Sequence, residues 1–469
     1  MGERNILVLD CGATNVRAVA VNEHGRVVAQ KALPNNTRPD PSHHQGLIWD
    51  VDEIWRKFTQ CSLEVCNSID PNSIAALTIT TFGVNGAPVD SKGNLLYPVI
   101  SWQCQRTVPI MDGIGRYIDP QRLYEISGVG SFHFNTINTL IWLKEQRPKV
   151  LDSMEAFLFM PSIFIHRLTG NMINDTTMFG TSMLTDIRKG ELSHEILSAT
   201  GLPNRFATIG TPGTIAGKLT SQAASELGVP NGIPVVLAGH DTQFALIGSG
   251  AGINEVVLSS GTWEILMARV QNLCTSPQAM LAGITNEQDA LPNVFNTGIQ
   301  WLGSGVLEWI KKLLYQEEMA KSPNQIYDLM IEEASKASSE GIGLNIDFAD
   351  NRGSISNLGL HATRGQIYRA ALDALALKTS QSLDYLKELG SFDAQSVIVV
   401  GGGGRNKLWN QLRANALGIP LRIVKESECT VIGAAMFAQA AVGIHPTIHE
   451  AINALKPEYE TIYPDNQHS

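Results

Sequence analysis

The same local pattern occurs twice in the chain, once near its start and once in its second half. Residues 7–21 read LVLDCGATNVRAVAV, two apolar runs on either side of a turn of small residues. Residues 255–268, EVVLSSGTWEILMA, repeat that arrangement. Apolar runs rich in Val, Leu and Ala, without Pro inside them, are typical of β-strands, so each segment predicts a β-hairpin. Two equivalent hairpins indicate a duplicated fold with a cleft between its copies.

The turn of the first hairpin has two interpretations. Asp, Gly, Thr and Asn are ordinary turn residues, so the segment can be a plain polar hairpin. Alternatively it binds an anion, because small residues expose backbone N–H groups and Arg17 adds positive charge. Asp10 would oppose a phosphate unless a divalent cation lay between them. Mg²⁺ prefers oxygen ligands and bridges carboxylates to nucleotide phosphates, but the hairpin alone leaves both interpretations open.

Length and composition narrow the class of protein. A chain of 469 residues is longer than the chains that usually form a single hydrophobic core, so we expect two or more domains. The net charge of −10 argues against a nucleic acid or an acidic membrane as partner. Six cysteines without a C-x-x-C pair predict reduced thiols rather than disulfides or a zinc site. We expect a cytoplasmic location, since neither a signal peptide nor a run of ~18 apolar residues is apparent.

The first half alternates strands with helices, which predicts an α/β architecture opened by a three-stranded antiparallel meander. The segments concerned are a third strand at 27–31, a helix at 51–67, a buried strand at 74–80, helices near 135–147 and 160–168, and a buried strand at 233–239. Residues 210–234 are rich in Gly, Pro, Thr and Ser and are interpreted as a surface excursion. We place the domains at 1–245 and 246–469.

The second half contains a strand followed by a glycine run and a helix. A helix near 365–389, closed by Gly390 as its C-cap, precedes the strand SVIVV and the glycines 401–404. A strand, a glycine loop and a helix in this order can bind a phosphate at the helix N-terminus. The same segment can instead be only a tight turn between strand and helix. The dinucleotide fingerprint is incomplete, because Asn406 stands where its third glycine belongs, although Glu426 follows the next strand.

Asp241 follows an entirely apolar strand. It can be an ordinary helix N-cap. In α/β proteins, however, a cleft opens at the carboxyl end of such strands, where a carboxylate can accept a proton from an attacking hydroxyl. His240 lies beside Asp241 in the sequence, and we assign it a supporting role rather than that of an acid or base.

Five sequence blocks occur in the order and spacing of one family. They are DCGATNVR, SWQCQRT, AGHDTQFAL, LSSGTWE and VVGGGGRN. Together they resemble the FGGY carbohydrate kinases, over roughly residues 5–445. The resemblance implies two ribonuclease-H-like domains of the actin and sugar-kinase fold around a central ATP and sugar cleft. FNTINTLIWLKEQ resembles the first signature block of the family, with Thr139 at the place of its usual lysine.

The segment TTFGVNGAPVDSKGNLLYPVISW is similar in sequence to the family members that act on L-fuculose. The resemblance therefore implies ATP-dependent phosphorylation of the 1-hydroxyl of L-fuculose, with Mg²⁺ or another divalent cation. It implies that Asp241 is the general base and that Asp10 holds the metal. The residues implied in ATP binding are Ala13, Thr14, Asn15, Val16, Arg17, Thr262, Ser304, Gly401, Gly402, Gly403 and Asn406. Those implied in sugar binding are Gly83, Trp102, His240, Asp241, Thr242 and Asn296.

Three alternatives remain open from the sequence. One is a kinase for another ketose, such as L-rhamnulose or D-ribulose. The second is an actin-like ATPase that transfers nothing, which ADP production independent of any sugar would favour. The third is a nicotinamide oxidoreductase, suggested by the glycine run and Glu426. The expected partner is a small ketose, and the oligomeric state is not predicted.

Overall fold

The computed structural model describes residues 3–321, 325–339, 341–345, 353–425 and 428–465. The chain forms two lobes, each built around one mixed β-sheet. Helices pack against both sheets, and the deepest apolar side chains lie between helix and sheet.

The first lobe begins at the predicted meander. Its strands are β1 (Asn5–Cys11), β2 (Asn15–Asn22), β3 (Val27–Pro34), β4 (Arg38–Pro39), β5 (Leu47–Trp49), β6 (Ile74–Thr81), β7 (Gly86–Val89), β8 (Val99–Ile100), β9 (Ala156–Phe159), β10 (Ile173–Asp175), β11 (Thr185–Asp186), β12 (Glu191–Leu192), β13 (Thr208–Gly210), β14 (Ile215–Lys218) and β15 (Pro234–His240). Its helices are α1 (Val51–Cys66), α2 (Val108–Asp112), α3 (Pro120–Ser127), α4 (Thr136–Gln146), α5 (Pro148–Asp152), α6 (Met160–Thr169), α7 (Thr176–Gly180), α8 (His194–Thr200), α9 (Ser221–Leu227) and α10 (Asp241–Gly248).

The main sheet of the first lobe has the strand order β14-β15-β6-β1-β2-β3. Strand β1 is antiparallel to β2 and parallel to β6, which is in turn parallel to β15. Every residue of β1 is buried, as expected for a central strand covered on both faces. The carboxyl ends of β1, β6 and β15 therefore meet at one edge of the sheet.

The second lobe repeats this plan. Its strands are β16 (Val256–Ser260), β17 (Trp263–Val270), β18 (Thr285–Gln288), β19 (Phe295–Leu302), β20 (Gly343–Asn345), β21 (Ser354–Ser356), β22 (Val397–Val400), β23 (Leu421–Val424) and β24 (Tyr459–Ile462). Its helices are α11 (Pro277–Leu281), α12 (Ser304–Leu314), α13 (Gln316–Lys321), α14 (Ile326–Ser335), α15 (Arg364–Gly390), α16 (Lys407–Leu417), α17 (Cys429–Ala441) and α18 (Ile448–Ala454).

The strand order of the second sheet is β18-β19-β17-β16-β22-β23-β24. Strand β16 is antiparallel to β17 and parallel to β22, which is parallel to β23. These three relations reproduce those of β1 with β2, of β1 with β6 and of β6 with β15. The predicted duplication is confirmed.

Helix α17 joins the two lobes. It comes from the second half of the chain, yet Val431 and Met436 pack with Val8 of the first sheet in one buried cluster. Helix α17 also packs closely on α10. Gly248 of α10 and Gly433 of α17 have no side chain, so each helix can approach a backbone carbonyl of the other. The predicted boundary at residue 245 falls within α10, and the division into two domains there stays a prediction.

Two local expectations were wrong. Residues 210–234 are not only a surface excursion: β14 forms the edge of the main sheet, and α9 packs against α1. Helix α15 does not use Gly390 as its cap, since Gly390 is its last helical residue and Ser391 takes the left-handed conformation at φ 51°. Gly390 is buried, and a Cβ there would lie 2.9 Å from the ring of Phe392, so packing explains that glycine.

The six cysteines are all free thiols. Burial raises the pKa of the Cys11 thiol well above its usual value, and the carboxylates of Asp10 and Asp241 raise it further. Within the described ranges, no helix is both long and apolar enough to cross a bilayer.

Candidate active site

Asp10 ends β1 and is held from two sides. Its Oδ2 accepts hydrogen bonds from Nη2 and Nε of Arg17 at 2.6 and 3.0 Å, and its Oδ1 accepts one from Thr80 at 2.9 Å. Asp10 and Arg17 are cross-strand partners in the hairpin, which explains why both residues occur at these positions. The remaining Nη1 of Arg17 lies 2.5 Å from Glu428 at the start of α17. The guanidinium thus joins the first hairpin to the second half of the chain, and its predicted contact with phosphate stays a prediction.

The turn between β1 and β2 presents backbone and side-chain donors. The amide of Gly12 donates to the carbonyl of Asn15 at 2.8 Å, and the buried Asn35 donates to the carbonyl of Gly12 at 2.9 Å. Thr14 and Asn15 are exposed at the tip and Ala13 is partly exposed, whereas the side chain of Val16 points into the core. Val16 as a whole is buried and paired with Cys11 and Leu33 in the sheet, and its part in ATP binding stays a prediction.

Asp241 is the first residue of α10, directly after β15. Because His240 pairs with Thr81 on β6 and Asp10 pairs with the neighbouring Thr80, both carboxylates lie at the same edge of the sheet. Burial raises the pKa of Asp241 to about 6; His240 lowers it, and Asp10 raises it further. The Oδ1 of Asp241 accepts hydrogen bonds from the amide of Thr242 at 2.7 Å and from its hydroxyl at 3.3 Å.

His240 lies between two carboxylates. Its Nε2 is 3.5 Å from Asp241, and its Nδ1 is 3.5 Å from Glu287, which comes from β18 of the second lobe. Burial disfavours the protonated ring, but the hydrogen bond to Glu287 and the surrounding carboxylates outweigh it and raise the pKa of His240. A Cβ at Gly83 would lie 2.8 Å from Nε2 of His240. Glycine at position 83 therefore makes room for this ring.

A short helix supports the backbone of His240. The hydroxyl of Thr177 in α7 accepts the amide hydrogen of His240 at 2.9 Å and donates to Asp175, the N-cap of α7, at 2.5 Å. Burial raises the pKa of Asp175 to about 6. Its Oδ2 is buried without a hydrogen-bond partner in the part of the chain described.

The turn of the second hairpin is organised by a buried ion pair. Arg413 of α16 and Glu264 of β17 are both inaccessible to solvent and form a direct salt bridge. Arg413 also donates to the hydroxyl of Ser260 at 2.9 Å, and that hydroxyl donates to Glu264 at 2.7 Å. The guanidinium lies 3.4 Å above the ring of Trp409. Burial lowers the pKa of Arg413 to about 10 and raises that of Glu264.

The glycine run packs on the same turn. Gly401 has φ 90°, and a Cβ there would lie 2.7 Å from the carbonyl oxygen of Ser260. Gly401 and Gly402 are exposed and Gly403 is partly exposed, while Asn406 caps α16. The tight turn from strand to helix is thus present, and its contact with nucleotide stays a prediction.

The start of α12 closes the turn from the other side. The amide of Ser304 donates to the carbonyl of Gly261 at 3.0 Å, and that of Gly303 donates to the carbonyl of Thr262 at 2.9 Å. Thr262 is exposed at the tip and Ser304 is partly exposed. Both therefore remain available to a ligand.

A cavity of about 170 Å³ connects the two lobes. Its walls include Asp241 and Thr242 of the first lobe, Ser259 and Val400 at the strand ends of the second lobe, and Thr430 of α17. The proposed base, the second hairpin and the strand before the glycine run thus meet at one place. A hydroxyl acceptor beside Asp241 would face the nucleotide-binding elements expected in the second lobe.

Trp102 and Asn296 are two further predicted sugar contacts. The amide of Trp102 donates to Oδ1 of Asn85 at 3.1 Å, two residues from Gly83, and its ring is partly exposed. Asn296 is completely buried on β19, where it donates to Gln243 of α10, and its Oδ1 has no hydrogen-bond partner among the described residues. A direct contact between Asn296 and a sugar stays a prediction.

Sequence reasoning missed several residues of the site: Asp175, Gln243, Glu264, Glu287 and Arg413. Only Gln243 had a local signal, because it lies one helical turn after His240 and so shares a face with it. Glu426, which suggested an oxidoreductase, lies outside the described residues.

A Mg²⁺ ion fits the chemistry of Asp10. Across the described ranges, no group of three or more His, Cys, Asp or Glu residues could hold a metal. Mg²⁺ needs no such cage, since it binds through one or two carboxylates together with water and substrate phosphates. Oδ1 of Asp10 accepts one hydrogen bond from Thr80 and retains capacity for a metal-bound water.

Comparison with known proteins identifies the family. Residues 5–248 match the N-terminal domain of the FGGY family of carbohydrate kinases, and residues 256–442 match the C-terminal domain of that family. The chain belongs to the FGGY carbohydrate kinases. Among relatives of this FGGY kinase, the L-fuculokinase of Escherichia coli K12 is 45% identical across 100% of this chain and 98% of its own. The L-fuculokinase of Haemophilus influenzae is 44% identical across 98% of this chain and 99% of its own.

A solved structure shows the same fold. The xylulose kinase of Rhodospirillum rubrum superposes with a TM-score of 0.87 at 20% sequence identity, covering 99% of this chain and 95% of that protein. The expected sugar-kinase fold of this FGGY kinase is confirmed.

Proposed function

We propose that the protein phosphorylates the 1-hydroxyl of L-fuculose with ATP. The observation that carries this proposal is the identity of 44–45% with L-fuculokinases along the whole chain. The site supports it, because the partly buried carboxylate of Asp241 lines a cavity between the two lobes, with His240 3.5 Å from it.

Asp241 is the proposed general base. As the phosphoryl group passes from ATP to O1 of the ketose, the bond between the γ-phosphorus and ADP breaks and the bond to O1 forms. The proton of the 1-hydroxyl passes to a carboxylate oxygen of Asp241. A base whose pKa is about 6 is ionised at neutral pH and still accepts a proton effectively.

The turns supply the charge stabilisation. Phosphoryl transfer depends mainly on positioning and on donors that face developing charge. We assign this role to the backbone amides of 13–15 and of Thr262, together with the hydroxyls of Thr14 and Thr262. A Mg²⁺ ion held at Asp10 would supply further positive charge to the phosphates.

A panel of ketoses tests the proposal. The purified protein is incubated with ATP, Mg²⁺ and either L-fuculose, L-rhamnulose or D-ribulose, and both ADP and sugar phosphate are measured. We expect the highest kcat/KM with L-fuculose and a sugar 1-phosphate as product. A higher kcat/KM for another ketose, or a rate of ADP release that is the same with and without any sugar, would refute the assignment.

A further inference from the structure

The second lobe contributes one carboxylate to the surroundings of His240. Glu287 lies on β18, opposite Asn296 in the ladder with β19, and only 12% of its side chain is exposed. Its Oε2 accepts a hydrogen bond of 2.6 Å from Nε2 of Gln243 and lies 3.5 Å from Nδ1 of His240. Both of those residues belong to the first lobe, so Glu287 reaches across the boundary between the lobes.

The contact extends to the proposed base. His240 has Glu287 on one ring nitrogen and Asp241 on the other, each at 3.5 Å. The two carboxylates favour the protonated ring, and a positive charge there favours the ionised form of Asp241. Asp175 is the further charged group that faces His240, and Asp10 is the one that faces Asp241.

The buried amides around Glu287 fix this arrangement. Gln243 is fully buried; it donates to Glu287 and accepts from Asn296. Gln243 lies three residues after His240, the N-cap of α10, so Glu287 contacts the beginning of that helix at two points.

We infer that Glu287 is a positioning residue: its carboxylate, placed across the boundary between the lobes, orients His240 beside Asp241 and compensates the charge of its ring, and so forms part of the ketose site. This inference rests on the proposed function, in which Asp241 is the base; His240, a predicted sugar contact, lies beside it. It assigns to the second lobe a carboxylate that acts on the proposed base through His240.

The pH dependence of catalysis tests this role. Removing the charge of Glu287 disfavours the imidazolium, and a neutral His240 no longer lowers the pKa of Asp241. In Glu287→Gln we expect the acid limb of the kcat/KM profile for L-fuculose to move up by roughly 0.5–1 pH unit. The KM for the ketose should rise roughly 3–10-fold, while the KM for ATP changes less than about 2-fold.

Three further variants separate positioning from simple structural support. Glu287→Asp keeps the charge and should bring the acid limb back towards that of the unmodified protein. In a His240→Gln background, adding Glu287→Gln should leave the limb in place. Glu191→Gln, at an exposed position of the first lobe, should change neither the limb nor the KM values.

One measurement is independent of the substrate. In protein labelled at its histidines, with the signal assigned through His240→Gln, Glu287→Gln should lower the pKa of His240 measured by NMR. An unchanged His240 titration, or an acid limb that moves as far without His240 as with it, overturns the inference. A protein that phosphorylates no ketose, but whose His240 titration still responds to Glu287→Gln, overturns the proposed function while the contact stands.

Discussion

Asp241→Asn should make the protein more stable and much less active. The folded protein holds this carboxylate at a pKa of about 6 instead of 3.8, mainly because burial disfavours its charge. Between those values the folded state binds more protons than the unfolded state, so stability falls as pH rises from about 4 to 6. Above pH 6 the full cost of the buried charge is present.

The size of this cost follows from the two pKa values. Each pKa unit corresponds to about 1.4 kcal/mol, so the difference gives at most about 3 kcal/mol. Because 29% of the Asp241 side chain is exposed, water screens part of the charge, and we expect about 1–2 kcal/mol. An asparagine keeps the acceptor for the amide of Thr242 without the charge.

Thermal denaturation at two pH values measures the effect. At pH 8 the melting temperature of Asp241→Asn should exceed that of the unmodified protein by roughly 1–2 °C, because a chain of 469 residues has a large unfolding entropy. At pH 4.5 the stability difference should shrink to about a third. Turnover should fall by a factor on the order of 10²–10⁴, with ATP binding retained.

Asp384→Asn, at an exposed position on α15, is the matched control and should change neither property. The reasoning is refuted if Asp241→Asn melts at or below the unmodified protein at pH 8, or if its turnover is unchanged.

Three further perturbations probe the metal, the second hairpin and the contact between helices. Asp10→Ala should raise the Mg²⁺ concentration needed for half-maximal rate, measured by metal titration of the kinase reaction, because the proposed ligand is lost. Arg413→Met leaves Glu264 buried without its cation and should lower the free energy of unfolding by about 3–5 kcal/mol, measured by denaturant titration. Gly433→Ala forces a methyl group against the carbonyl oxygen of Phe244, so it should destabilise by about 1–3 kcal/mol in the same assay.

Each of these has a contradicting result and a control. An unaltered metal titration removes Asp10 from the metal site. Replacing Glu264 and Arg413 together by methionine should recover part of the stability lost in Arg413→Met; no recovery would argue against an unpaired buried charge as the cause. Gly359→Ala, where a Cβ meets open space, is the control for Gly433→Ala, and equal stability of the two variants would contradict close packing of the helices.

The sequence alone determined the parts of this protein whose signals are local. Alternating or continuous apolar runs and small polar turns gave both hairpins, because side-chain periodicity and turn chemistry depend on neighbouring residues. The order of the motif blocks gave the family. The pairing of Asp10 with Arg17 was implicit in the hairpin, since residues on either side of a short turn must face each other.

Only the tertiary structure decided which distant residues surround the chemistry. Glu287 reaches His240, Arg413 reaches Glu264, and α17 returns to the first sheet, and none of these partners is close in sequence. The end of α15 at Ser391 was likewise decided by packing, because Gly390 is buried against Phe392. These contacts and this helix end depend on burial and charge compensation between elements that meet only after folding. A local sequence pattern carries no information about them.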